Sequence, residues 1–201
     1  QSTFILYLML IYKYLSLIIT LISLPVLAND ISKLDIDGFK VGDSLLNFYT
    51  KSELIKGDFL EYPGSNKFYD LSFVSNKDSQ FDSYTFALKK NDNNYKIFTV
   101  GGTIYFENKI NKCLLHKDKT LQSMKPVLSN YEIYEHEYEY SEIADGKSIA
   151  YITDFELSNG FISVYCVEYS KKTKQEYGLR DSFNIDFSSQ EHIDWINYEA
   201  Y

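Results

Sequence analysis

Of its 201 residues the chain spends two on cysteine, three on proline, one on tryptophan and one on arginine, Arg180. Two cysteines cannot build a disulfide-dense scaffold or a four-thiolate zinc site. A lone arginine, with twenty Lys and Arg in all against twenty-eight Asp and Glu, leaves a net charge of -8. Such a surface repels nucleic acid and anionic lipid. His116, His136 and His192 are the only histidines, and none stands at metal-ligand spacing from another or from a cysteine. G-x-S-x-G, H-E-x-x-H and a phosphate-cradling glycine loop are all missing. The sequence therefore assigns no catalytic residue, no metal and no cofactor.

One long apolar run is present. Leu15 to Ala28, LSLIITLISLPVLA, follows Lys13 and ends in the small-residue pattern Val26-Leu27-Ala28. It reads as a secretory signal peptide cleaved between Ala28 and Asn29, with Met9 as a compact start. An uncleaved anchor over Phe4 to Ala28 is the alternative, since a bilayer span needs ~20 apolar residues. Cleavage would remove Lys13 and take the net charge from -8 to -9. Residues 29–201 are enough for one α+β domain, expected in the periplasm or the medium.

Tyrosine is abundant, at nineteen residues, alongside much Lys, Asn, Ile and Phe. That combination also follows from an AT-rich coding sequence, so the tyrosines do not by themselves announce a function.

Along the chain, spacing predicts short helices over 44–49 and 51–56, the second opened by the Thr50-x-x-Glu53 capping box. A loop is expected over 57–67 and strands over 67–74, 83–89 and 95–106, with Asn91-Asp92-Asn93-Asn94 closing a hairpin. Gly101-Gly102 reads as a bulge or a close backbone approach. A helix over 110–128 follows, with a kink or early stop expected at Pro126. Strands over 131–140, 148–157 and 161–170 lead to a polar loop at 171–178 and a strand at 182–187. Ser188-x-x-Glu191 reads as a second capping box for a terminal helix. This order implies an antiparallel β-sheet with helices on one face, in two halves that each run helix first and then strands.

Two features carry specific expectations. In an oxidising compartment, lone cysteines pair more often than they stay reactive, so Cys113 and Cys166 are expected to form a disulfide. The run Tyr131 to Glu142, YEIYEHEYEYSE, alternates as a strand, with Tyr134, His136, Tyr138 and Tyr140 on one face and Glu135, Glu137 and Glu139 on the other. The plain reading is a solvated acidic face and a packed aromatic one. The sharper reading is a binding face to which Tyr165 of the later strand also contributes.

The runs GFKVGDSLL (38–46), YKIFTVGGTIYFENKINKC (95–113) and DWINYEAY (194–201) resemble uncharacterised secreted proteins of marine alphaproteobacteria, a likeness that implies no activity. More loosely, the element order is similar to β-lactamase-inhibitor-protein-like domains and to small outer-membrane assembly lipoproteins. That similarity implies action through protein contacts, although no lipobox cysteine follows Ala28. The leading expectation is an exported, non-catalytic domain binding a protein or cell-envelope component. A small-ligand or carbohydrate-binding domain using the tyrosine-rich face is the alternative. A hydrolase would require two carboxyls roughly 5 to 9.5 Å apart across a cleft. No nucleic-acid partner is expected, membrane contact would come only through an uncleaved leader, and no oligomeric state is assigned.

Overall fold

The computed structural model describes residues 30–76, 78–107, 109–128, 131–139 and 147–201. The expected leader at 1–28 and Tyr140 lie outside the described residues. Eight strands form one antiparallel sheet: β1 (Asp58–Glu61), β2 (Phe68–Val74), β3 (Ser83–Lys89), β4 (Ile97–Phe106), β5 (Ile133–Glu139), β6 (Ile149–Leu157), β7 (Gly160–Glu168) and β8 (Asp181–Ser189). Their order across the sheet is β1-β2-β3-β4-β8-β7-β6-β5. Two four-stranded meanders thus start at opposite edges and meet where β4 pairs with β8. Among the described residues four α-helices accompany them, α1 (Lys51–Leu54), α2 (Ile110–Leu128), α3 (Lys171–Tyr177) and α4 (Gln190–Tyr198), with single 3-10 turns at Ile31–Lys33 and Leu45–Asn47. The α+β antiparallel architecture is the expected one, and α1 and α2 each precede a meander.

Side-chain alternation decides which face is the core. On β8, Phe183, Ile185 and Phe187 point to one side, and their partners across β7, Cys166, Val164 and Ile162, share it. Val100 of β4 and Phe86 and Leu71 further along complete this apolar floor. α2 lies on it, with Cys113 and Leu128 buried and Leu114, Leu121 and Met124 packed against the floor. The Cys113–Cys166 disulfide is formed, with Cα atoms 6.0 Å apart, and ties the first turn of α2 to β7. Both cysteines are fully buried.

The second face is not left bare. One extra residue on β4 breaks the register between Ala87 and Leu88 of β3, which pair with Thr99 and Ile97. A bulge of this kind throws successive side chains out of phase. Ile97 therefore stays in the main core, while Phe98 joins Phe68, Trp195 and Ala200 in a separate cluster under α4. Trp195 is fully buried there, and its indole N–H donates to Ser65 Oγ at 2.9 Å. The expectation that the helices share one face thus needs correction: α2 and α4 lie on opposite faces, because the bulge and Phe68 supply α4 with an apolar seat of its own.

Other local expectations are corrected too. The segment 57–67 contains β1, an exposed four-residue strand with no apolar alternation to betray it. The polar stretch 171–178 is α3, capped by Ser170, whose hydroxyl accepts the Thr173 N–H, and ended at Gly178 with φ 68°. Lys171–Tyr177 has no apolar stripe, so its period is silent. The cap of α4 is Ser189 rather than Ser188, since the hydroxyl of Ser189 accepts the His192 N–H. Pro126 does not stop α2, which ends two residues later at Leu128, where few helical bonds remain to lose. The Thr50–Glu53 capping box is present in both directions. The Gly101-Gly102 pair is a close approach and not the bulge: a Cβ on Gly102 would meet the Phe81 ring at 2.7 Å. Among the described residues no helix is long and apolar enough to cross a membrane.

Candidate functional site

The face opposite α2 is polar over most of its width because most alternate residues of the central strands carry a hydroxyl, amide or carboxylate. On β8 these are Ser182, Asn184, Asp186 and Ser188, interleaved with the core phenylalanines. Thr99, Gly101 and Thr103 face them from β4, and Ser163 and Tyr165 from β7. Ser72 and Thr85 continue the face on β2 and β3, their hydroxyls 2.9 Å apart. α4 and the chain after β1 wall one end, leaving a depression of about 380 Å³.

Among the described residues two carboxylates line this depression, and neither lysine nor arginine does. The Tyr62 phenol donates to Asp70 at 2.6 Å, and the Tyr165 phenol donates to Asp186 at 2.9 Å. Asp186 also lies directly over Gly101, where any Cβ would collide with its Oδ1. Thr103 donates to Asn184 at 2.9 Å, and Asn184 in turn donates to Ser182 at 3.1 Å. The lining is thus rich in oriented dipoles and negative in charge. It suits cationic or polyhydroxyl groups and opposes anions.

His192 closes the α4 end. Its Nδ1 lies 2.7 Å from Thr99 Oγ1, which donates to Ser188 Oγ at 3.0 Å. Its ring packs against Phe68 and Trp195 with centroids 5.1 and 5.5 Å away. Burial pushes its pKa down to about 4. A hydroxyl beside an imidazole suggests a nucleophile and its base, but an imidazole so depressed is a weak proton acceptor at neutral pH. Its Nε2 is buried without a hydrogen-bond partner among the described residues, so no acid orients the ring as a catalytic base requires. His192 pins the first turn of α4 to β4.

Nor do the groove carboxylates form a hydrolytic pair. Asp70 on β2 and Asp186 on β8 are three strand steps apart, which sets their backbones about 14 Å apart at ~4.8 Å per step, wider than the carboxyl spacing glycoside hydrolysis uses. Asp154 of β6 shares a cross-strand row with Asp186, but Ser163 stands between them and donates to Asp154 at 2.6 Å. Among the described residues no cluster of three His, Cys, Asp or Glu side chains is placed to hold a metal ion.

Tyr134 pairs with Asp154, His136 with Ile152 and Tyr138 with Ala150, while Ile152 pairs with Tyr165. Tyr134, His136, Tyr138 and Tyr165 therefore share one face, the same one that carries the groove. Only Tyr165 lines the groove itself. Tyr134 and Tyr138 stand exposed on the edge strand, and the Tyr134 and His136 rings stack with centroids 6.4 Å apart. The reading of this stretch as a packed aromatic strand fails, since all seven residues of β5 are exposed. Nothing in the sequence singles out Asp70, Asp186 or Tyr62, and His192 stands out there only as one of three histidines without metal-ligand spacing. The alternation of Ser182, Asn184, Asp186 and Ser188 with core aromatics was the signal that a polar, ordered face existed.

A second cleft of about 430 Å³ opens on the α2 side, between Asp35–Asp37, the Gln80-Phe81 turn and the helix. His116 sits in it edge-on to Phe183 at 4.6 Å, its pKa lowered by burial and then by Lys119. Asp37 accepts from Ser79 at 2.9 Å and from Tyr84, whose phenol is pushed up to about 12, by burial first and by that bond second. These bonds brace the turn against β3.

No protein-family model, curated protein or solved structure matches this chain.

Proposed function

We propose that this chain is an exported, non-catalytic binding domain that receives a protein or cell-envelope component on the polar face of its sheet. The observation that carries the reading is the sharing of one face by an ordered acidic groove and a flanking row of exposed aromatic side chains. Exposed rings beside fixed polar groups are what contact surfaces use: the rings supply area at low entropic cost, and the polar groups set orientation. Asp70 and Asp186, with no lysine or arginine lining the groove among the described residues, favour a basic or neutral partner. Export rests on the Leu15–Ala28 run and agrees with a buried disulfide, a bond that persists in oxidising compartments.

A second reading keeps one observation of its own. The groove volume of about 380 Å³ is that of a pocket for a small molecule, and its hydroxyl-rich lining matches a sugar. Two captures separate the readings. The immobilised chain is exposed to envelope extract and, separately, to an array of neutral glycans, beside a Tyr134→Ala/Tyr138→Ala variant and an Asp186→Asn variant. A protein captured by the parent and lost by both variants supports the contact reading. Glycan binding lost only by Asp186→Asn supports the second. Capture that neither variant disturbs removes this face from consideration.

A further inference from the structure

The two edges of the sheet are unequal. β1 is four residues long, so it offers little backbone to a newcomer. β5 is seven residues long, pairs with β6 without a break from Ile133↔Phe155 to Glu139↔Ile149, and is the terminal strand of the sheet among the described residues. Edge strands leave every second N–H and C=O pointing outward, and proteins usually blunt them with charged side chains, lysine above all, or with proline, bulges or brevity. Between Tyr131 and Glu139 there is no proline, lysine, arginine or glycine. The stretch instead carries four glutamates, Glu132, Glu135, Glu137 and Glu139.

We propose that β5 is a docking edge for an extended basic segment of another protein, one in which lysine or arginine alternates with apolar residues, added as a ninth strand. The charges choose the occupant. Glu135 and Glu137 project on the α2 side, and Tyr134 and His136 on the groove side. An incoming strand with cations in phase with the glutamates gains two cross-strand ion pairs and lays its apolar residues beside the two rings. Lys117 of α2 lies near enough to Glu135 to answer part of one charge, and it is itself partly desolvated. Glu137 instead neighbours Tyr151, whose phenol it pushes further up after burial and Glu168.

A second copy of this chain does not fit. In a two-fold antiparallel pair that continues the sheet, residues of like parity stand opposite. Registers centred on residues 135 to 137 therefore set glutamate against glutamate and destabilise the pair. The acidic edge bars self-association while remaining open to a basic partner. This inference does not depend on the groove reading, because the edge uses backbone groups that the groove does not contain.

The test uses the full chain with its disulfide intact and a labelled peptide alternating lysine with valine. Controls are the glutamate–valine counterpart and two lysine–valine peptides N-methylated at alternate residues in opposite phase. The lysine peptide is expected to bind about tenfold or more tighter than the glutamate peptide at low salt and to slow amide exchange over residues 133–137. One N-methylated phase should bind and the other should not, because only one phase turns its donors towards the protein. Glu135→Lys/Glu137→Lys changes surface charge without touching the core and should reverse the preference between the two peptides. Equal binding of both peptides, insensitivity to methylation phase, or protection confined to the groove strands would overturn the proposal. So would a concentration-dependent dimer of the unliganded chain that protects β5.

Discussion

The carboxylate of Asp186 lies over the bare backbone of Gly101, its directly paired residue on β4, and is held there by the Tyr165 phenol at 2.9 Å. The absence of a side chain at position 101 is what permits the acid to stand in the middle of the polar face. Gly101→Ala should drive the carboxylate off Tyr165 and destabilise the fold by roughly 1–3 kcal/mol. In an Asp186→Ala background the same glycine substitution should cost much less. A double-mutant cycle read by urea denaturation gives the coupling, and strict additivity would contradict this account.

The disulfide closes a 53-residue separation between α2 and β7. In the chain-entropy picture a loop of that size contributes about 4 kcal/mol, so Cys113→Ser/Cys166→Ser should lower the urea midpoint substantially with little change in groove geometry. Alkylation of the denatured chain should add no mass without reductant and two labels after reduction. Labelling without reductant would show the pairing to be wrong.

His192 makes stability depend on pH. Its pKa in the folded state is about 4, against the ordinary 6.5 for an exposed imidazole, so the unfolded chain binds the proton more readily. Stability is then level above pH 6.5, falls as pH drops from 6.5 towards 4, and levels off below that. The loss from this residue is on the order of 2 kcal/mol by pH 5. Asp30, Glu53 and Asp92, whose pKa values are lowered chiefly by hydrogen bonds, add their own losses only in the carboxylate range further down. Urea midpoints at pH 7 and pH 5 for the parent and for His192→Asn check the sign. The variant should be less stable at pH 7 and show a smaller drop between the two.

Asp181 is almost fully buried where α3 meets β8, and its Oδ1 accepts both Lys174 Nζ at 2.7 Å and the Tyr169 N–H at 3.1 Å. Removing one partner of such a pair leaves a charge in a poor solvent. Lys174→Met should cost on the order of 3 kcal/mol. Lys174→Met/Asp181→Asn should recover part of that loss, since an uncharged amide needs no counter-ion. Thermal unfolding of the two variants decides it. A Lys174→Met protein as stable as the parent would mean that the ion pair contributes nothing.

Much of this architecture was legible because local rules acted alone. The Thr50–Glu53 box, the span of α2, the β3–β4 hairpin and the antiparallel α+β class follow from capping, period and turn chemistry. The disulfide follows from a count of two cysteines and from the expectation of export. Illegible elements were those whose signal is not periodic. β1 and α3 lack an apolar stripe and are formed by pairing and capping, so spacing could not announce them. The site divides in the same way. Placement of Tyr134, His136, Tyr138 and Tyr165 on one face was settled by strand alternation plus register, but their exposure was not, because nothing in YEIYEHEYEYSE tells an edge strand from a central one.

An acidic chain with alternating strands, one long amphipathic helix and a single pair of thiols to join can be read from residue order. Tertiary structure alone decided that the two meanders meet at β4 and β8, which brings Gly101 under Asp186 although eighty-five residues of chain separate them. It also decided that one extra residue on β4 turns Phe98 away from the main core and seats α4 on the second face, and that β5 ends the sheet. Hydrogen-bonded register and strand order are set by which whole surfaces can be buried together, and no local pattern contains that sum.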